Sequence, residues 1–281
     1  MKKAGFSVDF EDLKHFYRTL SVPQGNNDED FFRFTAQEFS KIFKKHNIKS
    51  TFFFIGQDLE KKKNSDDVKA LYDEGHEVGN HTYTHPFGFR KCSYREKYDE
   101  LRKTDRILKK ITGSDVTGYR APCYDYDDSQ RDILIKLGYS YDSSVFPSFF
   151  NMPLKLLWKV YGKRDSGFGR LGFSFKPLRP YDDNGLLELP ITMTPIIRIP
   201  FYTTPLLMLG KRFFDILYKR TKKHKTIVFE FHSIDLASNN TKIPKHLVLQ
   251  KSLQERIALI DYFIDRIKED FKIMPLEGIS R

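Results

Sequence analysis

Short apolar segments alternate with longer amphipathic segments along most of this chain. The apolar segments are only a few residues long and are followed by polar or glycine residues, which is typical of buried strands. We predict one strand close to the N-terminus and further strands over residues 50–55, 76–79, 116–120, 139–142, 186–190 and 226–231.

The amphipathic segments predict helices between these strands. Thr35 and Glu38 form a capping-box pattern, which predicts a helix beginning at Thr35 with Phe39, Ile42 and Phe43 on its inner face. Further helices are predicted over residues 66–74, ended by Gly75, and over residues 94–111 and 128–137, the latter ended by Gly138. A last helix carries an apolar stripe, interpreted as core, at Leu253, Ile257, Ile260, Ile264, Ile267 and Phe271.

This alternation indicates an α/β protein. It favours parallel strands joined by right-handed helical crossovers, and the order of elements fits a β/α barrel. Residues 145–210 interrupt the pattern, because they hold eight of the thirteen prolines, the single Trp158 and a glycine-rich stretch at 167–170. We interpret them as a long rim insertion of one domain spanning residues 1–281, and we expect them to shape the groove beside the site. The apolar run 191–209 is broken by Arg198 and three prolines, so it does not predict a membrane-spanning helix.

Composition adds few constraints. The chain has 281 residues, of which 40% are hydrophobic, and this is enough for a barrel-sized core. Its two cysteines, Cys92 and Cys123, exclude a disulfide framework and suit a reducing compartment. The N-terminal residues enter the first strand at once, without the apolar segment of a signal peptide. We therefore expect a cytoplasmic protein.

The net charge of +11 is concentrated in residues 211–225. This segment predicts a basic amphipathic helix that could lie on an anionic membrane, at the inner membrane face. Alternatively, its apolar residues pack in the core and leave an ordinary charged surface. Nucleic acid is not predicted as a partner, because no binding motif accompanies the charge. The basic residues are Lys211, Arg212, Lys219, Arg220, Lys222, Lys223 and Lys225, and the apolar ones are Phe213, Phe214, Ile216, Leu217 and Tyr218.

Two histidines with metal-ligand spacing, His81 and His85, follow the strand predicted at 76–79. Imidazoles four residues apart lie on one side of a helical turn and can bind one cation. Two histidines in a polar segment can also be structural, and His76 at the start of that strand is interpreted so.

Polar groups also follow the first and the last predicted strand. Asp9 and Glu11 share one face of an extended backbone, where two carboxylates can act as base and as metal ligand, or can simply cap the strand. His232 ends the strand 226–231 and is placed for acid–base work, or for a hydrogen-bonded role at the rim. All these groups lie at the carboxyl ends of strands, where β/α barrels build their active sites.

Together these segments resemble the polysaccharide deacetylase family, the family 4 carbohydrate esterases built on the NodB homology domain. The resemblance rests on Asp9 to Asp12, on residues 51–56, on His81 to His85, on Arg120-Ala121-Pro122 and on Phe231-His232, in the order that the family shows. It is strong over residues 5–145, weak over 146–225 and returns at 226–236. Residues 141–147 resemble the subgroup associated with exopolysaccharide and surface-glycan loci.

The resemblance implies a fold, an activity and a site. The fold is a distorted (β/α) barrel of about seven parallel strands, and the activity is metal-dependent removal of an N-acetyl group from an amino sugar in a surface glycan or its precursor. One divalent cation, expected to be zinc although cobalt, nickel or iron also suit, would be bound by His81, His85 and either Glu11 or Asp12. The two-residue period of the strand favours Glu11.

The remaining roles implied by the resemblance concern proton transfer. Asp9 would be the general base, Arg120 would keep it ionised, and His232 would be the general acid.

The sequence departs from the family pattern in two places. Many members have Arg-Pro-Pro-Tyr where this chain has Arg120-Ala121-Pro122-Cys123, so any oxyanion contact there would come from the Cys123 backbone N–H. The family's tryptophan-containing motif, which orients the acid histidine through an aspartate, has no clear counterpart. Asp142 and Asp235 are both candidates for that aspartate.

Two alternative functions remain open. A deformylase or other amidohydrolase acting on a polyprenyl-phosphate-linked sugar would be favoured by the basic segment 211–225. The second alternative is a non-catalytic glycan-binding relative. Such a relative would be expected to have lost the residue of the base, of a metal ligand or of the acid, whereas this sequence has all three.

Overall fold

A computed structural model describes residues 1–20, 30–150, 171–238, 241 and 248–280. Within these residues one sheet contains nine strands, in the spatial order β6-β7-β5-β4-β3-β2-β1-β8, with β9 also paired to β1. All the pairs are parallel except β6 with β7, which is antiparallel. The strands are β1 Lys3–Phe10, β2 Thr51–Phe54, β3 Glu77–Asn80, β4 Gly118–Tyr119, β5 Tyr141–Asp142, β6 Tyr181–Asp182, β7 Leu187–Glu188, β8 Thr226–His232 and β9 Lys272–Met274.

Each predicted helix is present among the described residues. The helix predicted to begin at Thr35 begins instead at Phe31, so the predicted capping box was wrong. The Thr35 hydroxyl instead donates to the Phe31 carbonyl one turn earlier, inside the helix (2.8 Å). The helices are α1 Leu13–Leu20, α2 Phe31–Lys45, α3 Lys62–Asp73, α4 Tyr94–Thr112, α5 Asp128–Leu137, α6 Thr203–Thr221, α7 Leu253–Asp270 and α8 Glu277–Ser280.

The sheet curls into an incomplete barrel, which confirms the predicted fold class. It has more strands than the seven expected, because β6 adds an antiparallel strand beside β7 and β9 pairs with β1. Residues 189–192 connect the two sides of the curl. The Leu189 N–H donates to the carbonyl of Asp142, the last residue of β5 (2.8 Å), and the Thr192 N–H donates to the Val228 carbonyl of β8 (3.3 Å).

Strand β1 lies between β2 and β8 and also pairs with β9. Its residues alternate, so that Phe6, Val8 and Phe10 are buried in the main hydrophobic core while Ser7 and Asp9 face the barrel interior. In register, Asp9 lies beside His232 of β8. The carboxyl ends of β1 and β8 therefore bring together residues from opposite ends of the sequence.

The predicted rim insertion, residues 145–210, is only partly described. Trp158 and the glycine-rich stretch 167–170 lie outside the described residues. The described part contains β6, β7, a turn closed by a bridge between Met193 and Pro200, and the start of α6. The prediction of a single domain stays a prediction.

Helix α6 contains most of the predicted basic segment. Phe214 and Leu217 are buried, and the Phe214 ring stacks on Phe263 of α7 at 4.4 Å, whereas Ile216 is 54% exposed. The apolar face thus packs mainly in the core, and membrane contact stays a prediction. Among the described helices, none is both long and apolar enough to cross a bilayer.

Candidate active site

His81 and His85 lie in a loop after β3, with their ring centroids 5.1 Å apart. The loop is not the helical turn that their spacing suggested, because Thr82 and His85 adopt left-handed backbone conformations, with φ of 65° and 54°. The two imidazoles meet because the chain bends sharply, and such backbone conformations are costly outside glycine.

This bent loop is held by polar contacts that the sequence did not indicate. A Glu100 carboxylate oxygen of α4 accepts from the backbone N–H groups of Tyr83 (2.9 Å) and Thr84 (2.8 Å). Its other oxygen accepts from the Thr84 hydroxyl (2.8 Å), and the Asn80 side chain accepts from the Thr82 N–H (2.8 Å). These bonds compensate for the local strain and fix the direction of both imidazoles.

Glu11 completes a group of three metal-binding side chains with the two histidines. One of its carboxylate oxygens lies 3.8 Å from His81 Nε2 and 3.5 Å from His85 Nε2. The Ser233 hydroxyl, which accepts from the Glu11 N–H and donates to its carbonyl, anchors this residue to the end of β8. Burial alone would raise the pKa of Glu11, but the two histidines lower it well below its usual range. Glu11 is therefore a carboxylate.

Asp12, the other predicted ligand, points elsewhere. Its carboxylate lies 3.5 Å from the Lys61 ammonium group and accepts from the Leu13 N–H (2.8 Å). Burial and the neighbouring Asp58 raise its pKa. The structure brings Glu11, and not Asp12, together with His81 and His85.

The three side chains fit a divalent cation. His81 Nδ1 donates to the Arg120 carbonyl (2.8 Å), so in the neutral ring Nε2 carries a lone pair, and Nε2 has no hydrogen-bond partner although it is buried. A lone pair facing a carboxylate at 3.8 Å is unfavourable unless a positive charge lies between them. Two ligand atoms of a tetrahedral ion with bonds of about 2.1 Å are about 3.4 Å apart. The distances from the Glu11 carboxylate oxygen to the two histidine Nε2 atoms, 3.8 Å and 3.5 Å, are close to this value.

Asp9 and Arg120 form a buried ion pair beside these residues. The Arg120 guanidinium donates to Asp9 (2.6 Å) and to the Ser7 hydroxyl (2.9 Å), and both it and Asp9 are buried. Ser143 fixes the other side of the guanidinium through its carbonyl and its hydroxyl. Burial would raise the pKa of Asp9, but Arg120, with His81 and His232, lowers it. Asp9 lies 3.9 Å from His81 Nε2, next to the group of Glu11, His81 and His85.

His232 ends β8 and lies beside Asp9 of β1. Its backbone N–H donates to Asp235 (2.9 Å), and the Thr204 hydroxyl contacts both Asp235 (3.0 Å) and His232 Nδ1 (3.3 Å). Of the two aspartates considered from sequence, Asp235 therefore contacts the histidine, whereas Asp142 bonds to the Ser144 hydroxyl. The His232 side chain is 19% exposed and can be reached from solvent.

Glu230 is a site residue that sequence reasoning missed. It lies two residues before His232 in β8 and is fully buried, with one carboxylate oxygen 3.4 Å from His232 Nε2 and 3.7 Å from Arg120. The two-residue strand period would have placed it on the face of His232.

The segment after Arg120 lines the same site. Cys123 and Tyr124 have positive φ values of 51° and 58°. Burial raises the pKa of the Cys123 thiol to about 12, which favours the protonated thiol over the nucleophilic thiolate. An oxyanion contact from its backbone N–H stays a prediction.

Comparison with known proteins agrees with the resemblance seen in the sequence. Residues 21–141 match the sequence model of the polysaccharide deacetylase family. The chain is 31% identical over 150 residues to the peptidoglycan deacetylase of Helicobacter pylori, covering 53% of this chain and 50% of that protein. It is 37% identical over 97 residues to the peptidoglycan-N-acetylglucosamine deacetylase of Bacillus cereus, covering 34% of each. The matches thus span half or less of these curated relatives.

Solved structures support the fold. A candidate polysaccharide deacetylase from Mycobacterium smegmatis has a TM-score of 0.62 at 15% identity, with 99% of this chain and 89% of that chain covered. A CE4 family pseudoenzyme from Bacillus anthracis has a TM-score of 0.55 at 19% identity, with 100% and 66% covered. The fold of this chain is therefore the barrel of these CE4 structures, and residues 21–141 resemble the polysaccharide deacetylase family.

Proposed function

We propose that this chain is a metal-dependent hydrolase that removes an N-acetyl group from an amino sugar, in a surface glycan or its precursor. The proposal rests on one observation: three sets of side chains lie together at the carboxyl end of the sheet. They are the cluster of Glu11, His81 and His85, the Asp9–Arg120 ion pair, and His232. Amide hydrolysis requires all three, because both the amide carbonyl and water are unreactive and the amine is a poor leaving group.

The metal-binding cluster supplies the electrophilic assistance. A divalent cation bound by Glu11, His81 and His85 would polarise the acyl carbonyl and lower the pKa of water in contact with it. Zinc suits this mixture of imidazole and carboxylate ligands, as do cobalt, nickel and iron. The side chains hold their orientation through the Arg120 carbonyl and the Ser233 hydroxyl.

Asp9 and His232 supply the two proton transfers of the reaction. Asp9 is ionised by its contact with Arg120 and accepts a proton from the attacking water. Burial alone would lower the pKa of His232, but Glu230, Asp9 and Asp235 outweigh this effect and raise it, which favours the imidazolium form. The imidazolium donates its proton to the departing amine, since otherwise the tetrahedral intermediate would return to the amide.

Two further observations support a saccharide substrate. The relatives named above are described as acting on peptidoglycan and on its N-acetylglucosamine. In this chain, the exposed ring of Phe87 lies 6.2 Å from His85, with the Arg18 guanidinium 5.0 Å from its face. An exposed aromatic ring beside the catalytic centre is a suitable surface for the apolar face of a sugar.

A deformylase acting on a polyprenyl-phosphate-linked sugar is the second candidate. It would use the same side chains, since a formamide needs the same base and acid, and the basic residues of α6 would favour an anionic carrier. A non-catalytic relative is a third case, given that the Bacillus anthracis neighbour is a pseudoenzyme. Base, acid and a three-residue ligand cluster are all present here, which argues against it.

One experiment separates these candidates. The purified, zinc-loaded protein is incubated with N-acetylated and N-formylated amino sugars, both free and carrier-linked, and the products are measured by mass spectrometry. We expect loss of acetyl groups, and none with the isosteric Asp9→Asn variant. Turnover of the formylated sugars alone would favour the deformylase. No turnover by a protein that binds the cation would identify a non-catalytic relative.

A further inference from the structure

Arg18 is a charged side chain at the edge of the site that the proposed reaction does not use. It lies in the last turn of α1 and is exposed, and its Nη2 group donates to the backbone carbonyls of Thr84 (3.1 Å) and His85. The guanidinium also lies 5.0 Å from the centre of the Phe87 ring. Fixing a long side chain costs conformational entropy. Here three contacts hold the guanidinium against the loop that carries both metal-binding histidines.

The charge of Arg18 has no acidic partner within the part of the chain that the structure describes. Its Nε and Nη1 groups also have no acceptor among these residues, since only Nη2 donates. Other basic side chains on the elements around the site each lie within 3.5 Å of a carboxylate. These pairs are Lys14 with Asp58, Lys61 with Asp12, Arg90 with Asp125 and Arg120 with Asp9. Arg18 therefore presents an unpaired positive charge and N–H donors beside the site.

A guanidinium group in this state favours an oxyanion as its ligand. Its planar N–H donors match the geometry of carboxylate and phosphate oxygens, and hydrogen bonds between ionised groups are about twice as strong as neutral ones. A sugar hydroxyl can also accept from Arg18, but it leaves the positive charge without a counter-charge.

The position of Arg18 decides which part of a substrate it can meet. Through its bond to the His85 carbonyl it contacts a residue of the metal-binding cluster directly. The Phe87 ring is 39% exposed, with its centre 6.2 Å from that of His85. A sugar packed on Phe87, with its N-acetyl group directed to Glu11, His81 and His85, would have its other substituents beside the guanidinium.

We propose that Arg18 binds an oxyanion of the substrate, a carboxylate or a phosphate carried by the N-acetylated sugar or by the sugar next to it. The substrate is then an acidic glycan or glycan precursor and not a neutral polymer. The proposal rests on the proposed hydrolase function and adds the substrate class to it. Arg18 meets the substrate away from the reacting bond, so it is a specificity-determining residue and its effect falls on KM.

A purely structural role for Arg18 is the competing explanation. Its two bonds to backbone carbonyls help to fix the loop that carries His81 and His85. That role does not depend on the charge of the substrate, so its loss would affect acidic and neutral substrates alike. A comparison of matched acidic and neutral substrates therefore separates the two roles.

The test uses two pairs of disaccharides that each differ in one oxyanion. The first pair is N-acetylglucosaminyl-N-acetylmuramic acid and its neutral lactyl amide, and the second is a phosphate monoester of diacetylchitobiose and diacetylchitobiose itself. Released acetate gives kcat and KM for the zinc-loaded wild-type protein, Arg18→Gln and Arg18→Lys. Arg102→Gln is the matched control, because Arg102 is also an exposed arginine over an aromatic ring, that of Tyr98 in the same helix, α4 (5.4 Å).

For the wild-type protein we expect kcat/KM to be about fivefold higher for the acidic member of at least one pair, the upper range for an exposed ion pair. The difference should lie in KM and should shrink at raised salt, which screens exposed charges. Arg18→Gln should lose the preference, and Arg18→Lys should keep part of it, because the charge remains without the planar donors. Arg102→Gln should keep all of it. A preference in one pair only identifies the oxyanion as carboxylate or as phosphate.

The opposite results would overturn the proposal. Equal kcat/KM values for both members of both pairs in the wild-type protein would do so, as would a preference that Arg18→Gln retains. A loss of activity in Arg18→Gln that is equal for the two members of each pair would show that Arg18 only fixes the loop.

Failure of the hydrolase function gives a different result. If the wild-type protein releases acetate from none of these sugars, the proposed function fails, and calorimetry measures their binding instead. Tighter binding of an acidic member that Arg18→Gln abolishes supports the oxyanion site, and equal binding overturns it. If Arg18→Gln does not fold, the wild-type protein and Arg18→Lys decide: a preference that neither raised salt nor lysine weakens overturns the proposal, and one that both weaken supports it.

Discussion

His76 makes a prediction about stability that can be worked through in numbers. The ring is 3% exposed at the start of β3, where its Nδ1 accepts from the Ser50 N–H (3.2 Å) and Phe52 lies 5.2 Å away in an edge-to-face contact. Burial, with a smaller effect of Lys49, lowers its pKa from the ordinary 6.5 to about 4, although Glu74 opposes the change. The folded protein therefore holds His76 neutral over a pH range in which the unfolded chain protonates it.

The sign and size of the effect follow from proton linkage. Below pH 6.5 the unfolded state binds a proton that the folded state does not bind until about pH 4, so the free energy of unfolding falls as the pH falls through this window. One pKa unit corresponds to about 1.4 kcal/mol, so about 2 kcal/mol should be lost between pH 7.5 and pH 5 and about 3 kcal/mol in full. This stability is complete above about pH 7.

Urea unfolding of the wild-type protein and of His76→Asn, at pH 7.5 and pH 5, measures the effect. Asparagine does not titrate, but its side-chain oxygen can accept from the Ser50 N–H. All other titrating groups are common to both proteins, so their contributions cancel in the difference. The wild-type protein should lose about 2 kcal/mol more than the variant on acidification. An equal loss in both proteins would refute the assignment of a buried neutral imidazole.

Three further predictions concern the site and the surface. Asp9→Asn should lower amide hydrolysis at least about 100-fold while metal analysis shows the cation still bound, because a base and not a ligand is removed; loss of the metal would make Asp9 a ligand. His81→Ala combined with His85→Ala should abolish stoichiometric zinc binding, as measured by calorimetry, and retained zinc would place the cation elsewhere. Liposome flotation should show salt-sensitive binding to anionic lipid that weakens when the basic residues of 211–225 are changed to Gln, and an unmodified protein that does not float at low salt would exclude membrane contact.

The order of strands and helices was predictable because its signals are local. The helix over Asp128–Leu137 was predicted at its observed bounds, since Asp127 caps its start and Gly138 takes the left-handed conformation at its end. The capping pattern at Thr35 and Glu38 gave a wrong start for α2. The apolar periodicity of this helix continues back to Phe31 and Phe32, and the burial of these aromatic residues decides where the helix begins. Packing across elements decided that boundary.

The candidate site was predictable to the extent that strand ends define it. Asp9, Glu11 and His232 come together because parallel strands place their carboxyl ends at one edge of a sheet. The contribution of Glu100 was not predictable, because it depends on where α4 lies relative to the loop after β3. In the sequence, Glu230 is only a charged residue within an apolar strand. The structure shows that this face of β8 lines the polar interior of the curled sheet.

The pairing of β1 with β8 has a consequence for the protein during its synthesis. Its partner β8 begins more than 200 residues later in the chain, and Asp9 meets His232 only through that pairing. At roughly 5–20 residues per second, a ribosome needs about 11–45 s between these two residues. Throughout that time the apolar edge of β1, with Phe6 and Val8, lacks its partner strand and is a surface for chaperones or for aggregation. The nascent chain therefore contains His81 and His85 long before it contains His232, and no incomplete chain ending before β8 can complete the proposed reaction.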